Sequence, residues 1–209
     1  MLLIVGSYFG FGGGDPLSLI ASLVGVTALI FCAKGNPAGQ FIMLFFCGLY
    51  GIISYQCAYY GEMITYLGMS APMALISFLS WIRNPYSKGK AEVRIDRLYP
   101  WERWLLPFVT AAVTVSFYFI LKAFGTANLL TSTLSVATSF FAAYLIFRRS
   151  SFFALAYVAN DLVLIVLWSL AAANDSTYGS VIACFAAFLF NDLYSFWNWM
   201  RMRKKQETK

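Results

Sequence analysis

The chain has 209 residues, 60% of them hydrophobic and only 11% charged, with a mean hydropathy of +0.70. Soluble domains carry about 25% charged residues, so the composition excludes an ordinary soluble domain. The formal net charge of +6 does not point to nucleic acid, because the basic residues sit in loops between apolar runs. With no histidine and four cysteines that lack CxxC spacing, a metal site or a disulfide framework is excluded as the organising feature.

A membrane-crossing helix needs about 20 mostly apolar residues, and seven such runs follow one another. Residues 1–16 are apolar but lack a basic leader and a small-residue cleavage site, so they are expected to be an extracellular lead-in and not a signal peptide. Runs at 17–36, 40–60 and 63–82 make a first three-helix bundle, 17–84. Pro72 falls near the middle of the third run, and such a break is tolerated where a cavity or hinge is built. A charged loop, 85–102, follows. A linker helix, 103–125, carries Pro107 in its first turns and no charge at membrane depth. Runs at 129–147, 152–173 and 178–200 complete a second three-helix bundle, 126–200, ahead of a basic tail, 201–209. The cysteines, Cys32, Cys47, Cys57 and Cys184, lie inside apolar runs and read as small packing residues.

Seven spans place every Lys and Arg except Lys122 on one face of the membrane. The positive-inside rule puts that face in the cytoplasm, which leaves the amino terminus outside and the carboxyl terminus inside. Adding or dropping one helix would scatter the basic loops, so the charge pattern also supports the span count.

The chain repeats itself. Residues 76–83 (ISFLSWIR) align with 194–201 (YSFWNWMR) at a shift of 118, and the same shift sets Tyr50 against Trp168 and Tyr60-Gly61 against Tyr178-Gly179. Leu17, Ser18 and Ser22 match Leu134, Ser135 and Ser139 at a shift of 117. Two triple-helix units separated by one helix enter the membrane from the same side. The predicted fold is therefore all-α and membrane-embedded, a 3+1+3 plan of parallel repeats about an axis along the membrane normal.

Polar groups at bilayer depth are costly and mark functional sites by default. Asn160 and Asp161 lie near the middle of the sixth run, Asn191 and Asp192 near the middle of the seventh. Asn191, Tyr194, Ser195 and Asn198 fall on one helical face, flanked by Trp197 and Trp199. Rings to stack and amides to bond hydroxyls suit a small aromatic, hydroxylated ligand. Packing readings stand beside this one: Trp199 is also placed to be an interfacial anchor, and the Asn residues to join helices. Asp161 and Asp192 could neutralise a cationic ligand, relay protons, or be satisfied by neighbouring Asn and Tyr, the last reading ranking first for Asp161. In the first half the counterparts are Gln56, Tyr50, Tyr66 and Trp81.

The run from Leu134 to Arg149, Asn160 with Trp168 eight residues on, and the segment 191–201 (NDLYSFWNWMR) together resemble the nicotinamide riboside transporter (PnuC) family over most of the chain. The resemblance implies a fold shared with the SWEET sugar transporters and uptake of a vitamin precursor, foremost nicotinamide riboside, by facilitated diffusion. A separate cytoplasmic kinase would then trap the substrate. It implies a bacterial inner-membrane location, no cofactor, and ligand contacts from Asn160, Asn191, Trp197 and Asn198, and it leaves room for a homo-oligomer, a trimer. Where such transporters often read Pro-Met-Gln this chain has Pro72-Met73-Ala74, and Cys47 stands where an Asn is usual. Thiamine, riboflavin and deoxynucleosides are the alternative substrates. Two other classes rank below a facilitator. A vitamin-capture subunit of a larger importer would be expected to have six spans, and an enzyme would need a nucleophile–base pair that the sequence lacks.

Overall fold

The computed structural model describes residues 5–6, 16–57, 59–87, 89, 91–173 and 178–208. The lead-in expected at 1–16 falls largely outside the described residues. Seven helices are long and apolar enough to cross a membrane: α1 (Pro16–Ala33), α2 (Ala38–Gln56), α3 (Tyr60–Arg83), α4 (Pro100–Ala123), α5 (Leu129–Phe147), α6 (Phe153–Ala172) and α7 (Gly179–Glu207). No strand forms among the described residues beyond an isolated bridge between Pro85 and Val93. Helix α4 starts three residues earlier than the apolar run, because Glu102 turns back to accept the Tyr99 amide at 2.7 Å and closes the first turn. Helix α7 continues through the basic residues Arg201–Lys205, which the sequence pattern assigns to a tail.

The packing repeats with the sequence. Within the halves, α1 packs on α2 and α2 on α3, as α5 packs on α6 and α6 on α7. Across the halves α1 meets α7 and α5 meets α3, which is the exchange a twofold axis along the bundle produces. Helix α4 buries only Glu102, Leu106 and Leu121 and packs chiefly on α5. It connects the halves from the outside.

The first helix of each half ends in the same way. At α1 the residue after the last turn is Gly35, with φ 65°, and its amide bonds the Cys32 carbonyl at 2.9 Å while that of Asn36 reaches Phe31. At α5 Arg149, with φ 55°, bonds the Ile146 carbonyl at 3.0 Å while Ser150 reaches Leu145. A left-handed residue closing a helix is ordinary for glycine. Arg149 holds that conformation because its guanidinium is tied down by Ser80 at 3.0 Å and Asp96 at 3.2 Å.

Pro72 has a visible consequence in α3. Its ring cannot sit beside the carbonyl four residues back, and it has no N–H to donate. The chain absorbs the misfit as one wide turn, a π segment at Tyr66–Ser70 with the Ala71 amide reaching back to the Tyr66 carbonyl.

The basic loops meet at one end. The Val93 amide bonds the Gly35 carbonyl at 2.9 Å, Asp96 bonds Arg149, and Gln206 of α7 bonds Glu92 and Val93. The loop at 84–99 therefore joins the α1–α2 turn, the α5–α6 turn and the end of α7. Glu102, 4% exposed, ties α4 to this end through Tyr144 at 2.7 Å and Arg148 at 2.8 Å.

Candidate functional site

Two pairs of aromatic residues, each pair related by the repeat, meet each other across the halves. Trp168 of α6 donates its indole N–H to the Tyr50 hydroxyl of α2 at 2.7 Å, and the two residues are 118 apart in sequence. Trp81 of α3 and Trp199 of α7 stand with ring centroids 5.4 Å apart. Trp81 donates to the Ile146 carbonyl at 3.1 Å and Trp199 to the Cys32 carbonyl at 2.9 Å, the carbonyls that accept the closing amides of α5 and α1. All four side chains are buried. Equivalent residues can touch only near the symmetry axis, so the two pairs mark it at two depths. The Trp81–Trp199 pair lies toward the basic end and the Tyr50–Trp168 pair toward the opposite end.

Between these two layers lies a cavity of about 50 Å³, room for a few water molecules. All six repeat helices line it and α4 does not. Its aromatic walls are Phe46, Tyr66, Phe153, Tyr157 and Phe188, and its polar groups are Gln40, Ser70, Ser139, Asn160, Asp161 and Asp192. Asn160 is 3% exposed, and its carbonyl oxygen accepts from both Thr138 and Ser139 at 2.8 Å. Those hydroxyls hold the amide so that its NH₂ is the end left to donate. Gln40 of the first half donates from its amide to Cys32 Sγ of the neighbouring α1 at 3.1 Å, which fixes it.

The remaining sequence candidates are distributed differently. Trp168 and Tyr50 form the layer that closes the cavity away from the basic end, with the Tyr50 ring centroid 4.3 Å from that of Tyr66 and the two planes tilted by 54°. Gln56 is exposed and lines a separate cleft beside Ser18, Cys57 and Ser180. Asn191 bonds Ser195 at 3.3 Å and touches Asp192 at 3.5 Å. Asn198 bonds the Ala33 carbonyl at 2.8 Å and so joins α7 to the end of α1. Tyr194 and Trp197 are 49% and 58% exposed and lie on the outer surface of the bundle, where Arg201 covers the Trp197 ring. The expected stripe on α7 is thus turned toward α1 and the exterior. Phe188 and Asp192, one turn apart, face the cavity, and Trp199 is a core residue and not an interfacial anchor.

Sequence reasoning missed Glu62. It is fully buried, accepts from Ser135 at 2.7 Å, and leaves its second oxygen without a hydrogen-bond partner among the described residues. It falls just before the run at 63–82 and so reads as a loop residue. The available signal was the repeat, since Ser135 is the counterpart of Ser18 and Glu62 lies 118 residues before Ser180, both of which line the cleft beside Gln56.

An all-helical, seven-span bundle of two parallel repeats enclosing an aromatic cavity with a few polar groups is the architecture of a small-molecule transporter. The profile of the family described as "Nicotinamide mononucleotide transporter" matches residues 15–201, and the chain belongs to that family. It is 28% identical to the nicotinamide riboside transporter PnuC of Neisseria mucosa, over 94% of this chain and 76% of that protein. It is 24% identical to the PnuC of Haemophilus influenzae, over 90% of this chain and 81% of that one. The crystal structure of the vitamin B3 transporter PnuC superposes with a TM-score of 0.83 at 21% identity, covering 98% of this chain and 90% of that one.

Proposed function

We propose that this protein carries nicotinamide riboside across a bacterial inner membrane by facilitated diffusion, with its basic end in the cytoplasm and its amino terminus outside. The observation that carries the reading is the cavity lined by all six repeat helices and bounded at both ends by symmetry-related aromatic pairs. Separation of one pair at a time as the halves rock would expose the cavity to alternate sides. The ligand contacts we propose are Asn160, whose NH₂ is free for a sugar hydroxyl, Asp192, and the aromatic walls for the ring. A kinase in the cytoplasm would trap the product. Both relatives are named as riboside transporters, and the absence of any Lys or Arg among the described residues that line the cavity favours the riboside over a phosphorylated mononucleotide, since a phosphate needs donors of positive charge.

Cys47 and Ala74, where the chain departs from the resemblance, both line the cavity, so thiamine, riboflavin and deoxynucleosides belong in the test. The experiment is entrance counterflow of labelled compounds into liposomes holding this protein as their sole protein. Nicotinamide riboside is expected to accumulate transiently without ATP or ion gradients. Failure to exchange it, with exchange of another compound in the set, would overturn the substrate assignment. Failure with all of them would overturn the facilitator.

A further inference from the structure

Asp161 of α6 and Asp192 of α7 are 3% and 2% exposed, both line the cavity, and their carboxyl groups are within hydrogen-bonding reach of each other. Asp161 Oδ2 accepts no hydrogen bond from any N–H or O–H group among the described residues. The titratable groups around the pair are Cys32 of α1, Cys47 of α2, Tyr66 of α3, Tyr157 of α6 and Cys184 of α7, while α5 contributes Ser139, which does not titrate. None is a cation. Two adjacent carboxylates without a counter-ion cannot both ionise in a buried site, and one proton placed between them turns a repulsive contact into a hydrogen bond.

We propose that Asp161 and Asp192 form a carboxyl pair holding one proton, and that the single negative charge left in the cavity makes these two residues the determinants of ligand charge, selecting a monocationic ring over a neutral one of the same shape. The inference rests on the proposed transport of nicotinamide riboside, whose pyridinium ring is such a cation, and it extends that reading by making Asp161 a specificity residue together with Asp192. Asn191, at 3.5 Å from Asp192 Oδ1, steadies the pair on one side, and the open side is the cavity.

The test is calorimetric binding of nicotinamide riboside and of its reduced, uncharged dihydropyridine form to the purified protein. Wild type should favour the cation by roughly 10- to 100-fold, the size of one charge-assisted contact. The double variant Asp161→Asn/Asp192→Asn, which removes the charge and keeps the shape, should erase that preference, whereas either single Asn variant leaves one carboxylate and should retain it. Asp192→Glu, which keeps the charge, should retain the preference and serves as the folded reference if an Asn variant is unstable. Equal binding of the two forms by wild type, or a preference that survives in the folded double variant, would overturn the inference alone. Binding of neither form would overturn the proposed substrate and the inference with it.

Discussion

At the residue scale, the most informative contacts are those between repeat equivalents. The hydrogen bond between Trp168 and the Tyr50 hydroxyl is buried and short, so Trp168→Phe leaves that hydroxyl stripped of its donor and is expected to cost about 1–3 kcal/mol. Trp81→Phe should cost less, near 1 kcal/mol for the lost bond, because the Ile146 carbonyl keeps the Arg149 amide. Thermal unfolding of the two variants in detergent checks the order, and a Trp81 variant less stable than the Trp168 variant would contradict it. Glu102 is a different case. Buried and tied to Arg148, Tyr144 and the Tyr99 amide, it leaves an unpaired buried charge when removed, so Glu102→Ala should destabilise by about 3–5 kcal/mol, and a loss under 1 kcal/mol in the same unfolding measurement would show that the contacts are dispensable. The equivalence of Trp81 and Trp199 was legible from a shift of 118, but their contact was not, because a repeat states which residues correspond and not where the axis passes. Asn198 shows the same limit. Helical spacing put it on a polar face, yet spacing cannot distinguish a face turned to a cavity from one turned to the Ala33 carbonyl of a neighbouring helix.

At the element scale, the helix count, order and termini of α2, α3, α5 and α6 follow the apolar runs to within a few residues, since length and hydropathy are what the membrane reads. The two larger departures have local causes. Helix α7 persists into its basic segment because Arg203 and Glu207 pair one turn apart at 2.9 Å and Gln206 holds the loop at Val93. In α3, Pro72 does signal a break, but only the structure shows its form, a widened turn that presents Tyr66 and Ser70 to the cavity. Pro72→Ala removes the reason for the wide turn. The variant is expected to be at least as stable as wild type while binding ligand more weakly, because Tyr66 and Ser70 rotate relative to Met73 and Ala74. Thermal unfolding and calorimetry on the same preparation check this, and unchanged affinity would show that the π segment does not shape the cavity.

At the scale of the molecule, charge and repeat together carry most of the fold. The basic loops do gather at one end, and the halves exchange their first and third helices as a twofold axis requires. Less of the site was legible. Asn160 and Asp192 reach the cavity, but so do Gln40 and Tyr157, which no pattern singled out, and Ser139, which the repeat paired with Ser22 without placing it at a site, because the lining is assembled from six helices and each contributes only a turn or two. The central claim is that ligand binds in this cavity and that the halves must open to admit it. Cys47 is a native probe of it, fully buried and lining the cavity, whereas Cys184 lies in the packed core and does not line it. The direct measurement is the rate at which a membrane-permeant maleimide alkylates Cys47, by mass spectrometry, with and without nicotinamide riboside. At ligand about ten times its Kd the free fraction falls about tenfold, and Cys47 labelling should slow by that factor while Cys184 stays inert throughout. Cys47 labelled at the same rate when the protein is saturated would place the ligand elsewhere and contradict the account.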